Sequence, residues 1–456
     1  MTDRAIRVHQ LEFSQRSLGT VLGSLIAVVV VMGLAAPRTF AFTLPLLALA
    51  FLLAVRSSAG AGDATAAAAG TRERTMLIGT AAAFFAWAAV SGVWSVAPLL
   101  SVTKGVVAGL IFAAVVVVAG RSYALSDGDA SRLGEGVWLG VLIGSLFVLV
   151  EALTDRVLMR AFVNLFHISP EALKPQMFFI WQAGRLVSVV VDELNRQMVS
   201  LVLFAGAGLL AARATLRRPW AAWTAVAIAA VVAGAVAASG SETAKLALVV
   251  ATVTFVLALL SRRAAFTLLV MGWLSASLLI VPALRLAHTS GLDTAPALAK
   301  ALERGSGRAR FEILNAFVAR IGEAPIVGHG ANAAYVLGPK EIDDTAQQPA
   351  PAGPAKAPAK APLAQHPHNA YLQIWYDLGL VGALLFSAFG LAILACLRRL
   401  EPDEQPPAFA TFAAAAAILA PSYGLWQFWY MAMFGVGAMA LTVAIRARRA
   451  MPASTA

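Results

Sequence analysis

The sequence predicts an all-α, polytopic integral membrane protein, and three observations carry that prediction. Hydrophobic residues make up 59% of the chain and charged residues only 13%, where water-soluble domains are about one-quarter charged; mean hydropathy is +0.77. Apolar runs long enough to cross a hydrocarbon core of ~30 Å as a helix recur along the whole length. These runs are continuous rather than alternating. Backbone groups in lipid pair only within helices or closed barrels, so the pattern selects helices.

Spans are expected near 18–36, 39–55, 76–95, 102–120, 133–153, 194–212, 221–238, 244–260, 264–284, 370–397, 408–422 and 424–445, about 12 in all. With residue 1 in the cytoplasm, RAIR, VRSS, TRERT, GRS, ARATLRR, SRR, LRRL and IRARR fall on one side. The short outer connections then hold little beyond Arg38, Lys104 and Lys245. This is the positive-inside asymmetry, and it predicts two cytoplasmic termini. The net charge of +11 is thereby topogenic. No basic stripe with interleaved aromatics is left over for nucleic acid, so that class of partner is excluded. The first apolar run is long and lacks an A-x-A exit, so it reads as a retained signal-anchor. Cys396 is the single cysteine and can make no intrachain disulfide.

The chain reads as one membrane domain, 1–456, with two outer segments too long for turns, 154–193 and 285–369. In the second, Phe311, Leu314, Phe317, Val318 and Ile321 repeat at three and four, predicting an amphipathic helix. Pro325 and the glycines of EAPIVGHG should end it. The stretch AQQPAPAGPAKAPAKAPLA, 346–364, has almost nothing apolar to bury and reads as an extended, mobile linker.

The chemistry-bearing stretch is AQHPHNAYLQIWYDLGLVG, 364–382. Pro367 precedes His368 and Asn369 follows it, so the tenth span starts here with Asn or His at its cap. At 100° per residue, Tyr371, Trp375, Leu378, Gly379 and Gly382 share a face with His368, while Asp377 points away. Gly379 and Gly382 leave that face a flat groove for a helix or a lipid chain. The positive end of the helix disfavours imidazolium, and a neutral imidazole can act as a general base. Capping an interfacial helix is the other reading of His368. Arg185, Arg308 and Arg310 lie on the outer side, and guanidinium suits fork-like contact with phosphate oxygens. Contact with ordinary phospholipid would explain them as well.

His368-Asn369, nine residues, then Gly379-Leu-Val-Gly382 resembles the signature of the lipopolysaccharide O-antigen ligase family. GRARFEILNAFVARIGEAPIVGHG resembles the segment that precedes it there, with Arg310 in the motif arginine's place. GRLVSVVVDELNRQMVSLVL resembles the family's arginine–asparagine segment, which puts Arg185 and Asn195 in the matching positions. Two departures stand out: His329 in the GHG turn, and Glu242 and Lys245 in SGSETAKLAL where an Ser-Arg-Gly-like start is expected. Lys245 would then substitute as a point charge.

The resemblance implies a GT-C-like architecture in the bacterial inner membrane with a periplasmic active site. It implies transfer of a polysaccharide from undecaprenyl pyrophosphate to lipid A–core oligosaccharide, with inversion and without a metal or other cofactor. In that reading His368 takes the proton of the acceptor hydroxyl. Arg185 and Arg310, assisted by Arg308 or Lys245, stabilise the pyrophosphate. The glycine groove and the aromatic face of Tyr371 and Trp375 hold the lipid donor. Asn195, Asn369 and His366 complete the substrate-binding set, His366 by orienting the acceptor.

Three further features are set against this reading. Asp127-Gly128-Asp129 matches a D-x-D metal motif but falls on the cytoplasmic side, and Asp343-Asp344 is a weak ligand pair, so no metal is expected. Glu151 near the end of the fifth span admits either an intramembrane acid of a transporter or plain interfacial solvation. Related enzymes that use another acceptor, a growing glycan (polymerase) or a protein hydroxyl (O-oligosaccharyltransferase), share the same site logic. The short tail after IRARR favours the ligase. A non-catalytic lipid or glycan transporter would need intramembrane charged pairs and half-repeats, which the sequence does not display.

Overall fold

The computed structural model of the chain describes residues 2–55, 71–173, 178–190, 194–290, 307–338, 364–421 and 423–451. The linker over 346–363 and the Asp343-Asp344 pair lie outside them. Among the described residues the regular secondary structure is helical except for one hairpin. The helices are α1 (Thr2–Ala35), α2 (Phe40–Ala54), α3 (Thr71–Val90), α4 (Pro98–Ser122), α5 (Asp127–Leu153), α6 (Val157–Leu165), α7 (Asn195–Thr215), α8 (Trp220–Ala238), α9 (Glu242–Leu260), α10 (Arg262–Leu278), α11 (Ile280–Thr289), α12 (Gly307–Ile321), α13 (Ala370–Arg398), α14 (Gln405–Leu419) and α15 (Phe428–Arg449).

Each of the twelve apolar runs is helical, but not all twelve are simple spans. Among the described residues ten helices are long and apolar enough to cross a membrane. The run at 264–284 is a bent pair, α10 and α11, turned by 63° at Leu279. The run at 408–422 is the 15-residue α14, about 22 Å at 1.5 Å per residue and so shorter than a hydrocarbon core.

α7 and α15 form the interior of the bundle, while large apolar side chains such as Leu53, Leu99 and Leu260 are exposed on its flanks. That arrangement suits lipid, which solvates apolar surface without penalty. Close helix contact comes from small residues: α1 and α5 approach until the carbonyl oxygen of Gly23 occupies the place a side chain on Gly136 would take.

Polar contacts sort the two ends of the bundle. One end carries ion pairs between helix termini, Arg399–Glu73 at 2.7 Å, Arg446–Asp127 at 2.8 Å and Arg449–Glu404 at 2.9 Å. The other end gathers the starts of α7, α9, α13 and α15. Ser241 Oγ donates to Asn195 Oδ1, Thr243 Oγ1 donates to the Pro421 carbonyl, and Gly424 lies against the His366 ring.

The 154–193 segment holds structure that the sequence reading missed. α6 is followed by an antiparallel hairpin, β1 (Phe179–Gln182) and β2 (Arg185–Val189), with a bulge between Ile180 and Trp181. Ala183 and Gly184 turn it with φ of 46° and 75°, the positive angles that a two-residue hairpin turn demands. Glu151 is neither solvated nor free in the membrane. It is fully buried, paired with buried Arg156 at 3.0 Å, and its Oε1 accepts the Leu158 amide at 2.8 Å. This pair fixes the entry to α6.

Candidate functional site

The site is built around an interruption in α13. Gly379 has φ 64° and ψ −162°, so the helix is two segments, Ala370–Leu378 and Leu380–Arg398. A break in a buried helix frees backbone groups that need partners, and the Pro325–Gly330 turn supplies them. The Leu380 and Val381 amides donate to the Pro325 and Ile326 carbonyls at 2.9 and 3.2 Å. In return the His329 and Gly330 amides donate to the Tyr376 and Asp377 carbonyls at 3.0 and 2.8 Å. Indole donors complete the arrangement: Trp87 to the Leu378 carbonyl and Trp94 to the Gly328 carbonyl. Ser91 and Ser101 hold both backbone groups of Ala331.

The regular-helix projection of this stretch therefore needs correction. The groove expected at Gly379 is filled, because a Cβ there would stand 2.3 Å from the Ile326 carbonyl oxygen. Gly382 packs on Leu378 of its own helix. The aromatic face is also engaged: Tyr371 Oη donates to the Ala416 carbonyl at 2.9 Å, Trp375 Nε1 donates to the Ser277 carbonyl at 2.8 Å, and Tyr371 stacks edge-on against Trp273. Asp377 turns to the loop before α15 and accepts Trp426 Nε1–H at 2.6 Å. The Asn332 and Ala333 amides and the Gln373 side chain face the same carboxylate.

The short segment Ala370–Leu378 presents the histidines at its start. Asn369 is the cap, its Oδ1 accepting the Leu372 amide at 2.9 Å. His368 precedes it with φ 54°, a left-handed conformation uncommon outside glycine that marks a position held by its surroundings. The amide of His368 donates to His366 Nδ1 at 3.3 Å, and the two rings lie 4.2 Å apart. Burial, reinforced by the neighbouring His368 ring, lowers the His366 pKa from 6.5 to about 4, so this imidazole is neutral at neutral pH. His329 is committed elsewhere. It stacks on Tyr376 at 4.4 Å, and its Nε2 is 3.8 Å from Glu323.

The cationic residues read from the sequence are distributed. Arg185 opens β2 and is exposed; Arg310 is exposed near the start of α12. α12 itself is anchored by buried Phe317, Val318 and Ile321, with Phe317 edge-on to Tyr376, which ties the Arg310 helix to the histidine segment. The side chain of Arg308 lies outside the described residues. Asn195 begins α7 and accepts from Ser241, the cap of α9, whereas Lys245 pairs with Glu242 at 2.9 Å.

Two cations that the sequence reading did not assign also belong to this end. The guanidinium of Arg196 lies 5.6 Å from the rings of both Tyr423 and Trp429, and Lys104 Nζ is 4.1 Å from the Phe428 ring. The loop that carries Tyr423, Tyr423–Gln427, leads directly into Phe428 and Trp429 of α15, and it also meets His366 through Gly424, Gln373 through the Leu425 amide and Asp377 through Trp426. The signal was the aromatic run YGLWQFWY, whose cationic partners lie far away in sequence.

The D-x-D candidate is placed at the opposite end of the bundle and is structural. Asp129 is buried and accepts from the Gly19 amide and Ser126 Oγ, while Asp127 pairs with Arg446. Among the described residues no group of three or more His, Cys, Asp or Glu side chains is arranged to hold a metal ion.

Fold and site define a polytopic α-helical membrane protein with a histidine pair placed at the start of a broken helix. Residues 227–387 match the family model described as O-antigen ligase. This segment runs from within α8 to the second half of α13 and takes in Arg310, the 325–330 turn and His368. Arg185 and Asn195 lie upstream of the match. No curated protein matches the chain.

Proposed function

We propose that the protein is an O-antigen ligase that transfers polysaccharide from undecaprenyl pyrophosphate to lipid A–core oligosaccharide at the periplasmic face of the inner membrane. The observation that carries this is the setting of His368. It stands in a left-handed conformation just before the cap of a detached half-helix, inside the segment that matches the family. A histidine that only capped a helix would need no such conformation, since Asn369 already performs the capping.

The chemistry follows from the donor. Pyrophosphate is a good leaving group once its charge is stabilised, so attack on the anomeric carbon needs a base for the acceptor hydroxyl and cations for the departing oxygens. His368 removes the hydroxyl proton as the oxygen attacks, which inverts the anomeric centre. His366, neutral because it is buried, adds no competing positive charge beside the base and orients the acceptor. Arg185 and Arg310 meet the phosphates. Both are exposed, and neither has an acidic partner among the described residues.

The test is transfer by purified protein from undecaprenyl pyrophosphate-linked polysaccharide to rough lipopolysaccharide, with a chelator present. His368→Ala should lower the rate by at least ~100-fold, the scale of a lost general base. Full activity in that variant would reduce His368 to a structural role. Transfer to a glycan or a protein in place of lipopolysaccharide would reassign the acceptor.

A further inference from the structure

The short helix α6 carries its polarity the wrong way round for a helix in water. Its polar side chains face the protein. Asn164 exchanges two hydrogen bonds with the backbone of Leu186 on β2, at 3.0 and 2.9 Å, and Arg160 Nη1 donates to the Val187 carbonyl at 2.7 Å. Val163 is buried with Phe179, Leu186 and Val189, and Met159 packs against that cluster. The opposite side consists of Val157, Leu158, Ala161, Phe162 and Leu165, all of them exposed. At 100° per residue these five cover about 140° of the helix, and no polar side chain falls among them. A helix bordering water turns its polar side chains outward. Here the outward surface is wholly apolar.

This surface continues one that already faces lipid. On the spanning helix α5, Ile143, Leu146, Val150 and Leu153 are exposed and fall within about 80° of one another. That stripe ends at Leu153, and the α6 face begins four residues later. The junction between the two helices is rigidly made. Asp155 and Arg156 take φ of 49° and 58°, Arg156 pairs with buried Glu151, and the Glu151 carboxylate accepts the Leu158 amide. Buried ion pairs contribute little net stability and are best attested as devices that fix register; this one sets the direction in which α6 leaves the span. With nine residues, α6 is about 13 Å long, less than half of a ~30 Å hydrocarbon core. It cannot cross.

We infer that α6 lies in the surface of the leaflet at the histidine end of the bundle, with Leu158, Phe162 and Leu165 sunk among the acyl chains and the hairpin carried on its polar side. Lipid is the occupant because the face extends a lipid-facing stripe, and an amphipathic helix in an interface buries such a face by about 5–10 Å. One consequence rests on the transfer reading above. Arg185 adjoins Leu186, the residue that Asn164 grips, so the depth of α6 sets the height of Arg185 relative to the lipid phosphates.

The experiment is spin-label EPR on the full chain in phosphatidylcholine–phosphatidylglycerol liposomes. Cys396→Ala removes the single cysteine. Labels are then placed singly at Leu158→Cys, Phe162→Cys and Leu165→Cys, with Gln182→Cys, exposed beside the hairpin turn, as the aqueous reference. The three α6 labels should collide more with oxygen than with a water-soluble nickel chelate, at depths of about 5–10 Å below the phosphates; the Gln182 label should do the reverse. Ala161→Cys lies on the same face and removes no bulk, so it serves if a larger replacement does not fold. Preference for the nickel chelate at the α6 positions would overturn the inference by placing the face in water. Low accessibility to both reagents would overturn it as well, by burying the face against protein, and dipolar broadening would identify that protein as a second copy. The readout involves no glycan transfer, so either failure leaves the transfer reading standing. Lipid-exposed labels on a protein that transfers nothing would support the placement of α6 and remove only its consequence for Arg185.

Discussion

Replacing Gly379 by alanine tests whether the interruption of α13 is required. At φ 64° and ψ −162° the residue occupies a region essentially restricted to glycine, and an L side chain there costs about 1–3 kcal/mol. A second cost comes from contact. The new Cβ would lie 2.3 Å from the Ile326 carbonyl oxygen, 2.4 Å from its carbon and 2.6 Å from the Val327 nitrogen. All three are backbone atoms, so the turn itself must move. Moving it strains the hydrogen bonds from Leu380 to Pro325 and from Val381 to Ile326, worth about 1 kcal/mol each. The expected loss is therefore roughly 3–5 kcal/mol. Denaturant unfolding in detergent, followed by tryptophan fluorescence, measures it. Gly272→Ala is the comparison: it is helical with nothing within 4 Å of an added Cβ and should gain up to about 1 kcal/mol. If Gly379→Ala unfolds within about 1 kcal/mol of that comparison, the account of the break is wrong.

The buried ion pair gives a second expectation. Glu151→Gln should destabilise by about 3–5 kcal/mol by leaving the Arg156 charge buried, and Glu151→Gln/Arg156→Met should recover part of that loss in the same unfolding measurement. Trp426→Phe removes a donor from the fully buried Asp377 carboxylate and should cost about 2–3 kcal/mol; Trp426→Phe with Asp377→Leu should cost less than the sum of the two singles. His366 predicts a pH effect. Its pKa falls from 6.5 to about 4 in the fold because of burial, then the His368 ring, so the unfolded chain binds the proton more readily. Its contribution to stability is complete above pH 6.5, declines as pH falls toward 4, and amounts to at most about 3 kcal/mol. The difference in unfolding free energy between wild type and His366→Asn should shift with pH in that window and be flat above it; a flat difference throughout would mean that His366 is solvated.

Membrane helices were legible because length and apolarity are local properties of each run. The sequence also displayed α12, since Phe317, Val318 and Ile321 repeat on one face and are buried together. Non-local geometry was not legible. Gly379 and Gly382 look like a small-residue stripe on a regular helix, and only the docking of 325–330 makes one of them a break. The hairpin escaped notice because Ala183-Gly184 is a weaker turn signal than Asn-Gly or Asp-Gly. Glu151 could be read as solvated or functional until Arg156 was seen to close on it. Arg196 follows Asn195 directly, yet its aromatic partners, Tyr423 and Trp429, come from the loop before α15 and from the start of α15, more than two hundred residues later.

In mechanical terms the segment Ala370–Leu378 is a cantilever clamped at its root. Its last carbonyls are gripped by the 325–330 turn and by Trp87, not by the helix that continues from it. Load that the bilayer places on Leu380–Arg398, whether stretching, thinning or tilt, passes to the histidine only through a one-residue joint and is attenuated there. The height of His368 is therefore indexed to the turn beneath it, and membranes of different thickness would present the same reacting geometry.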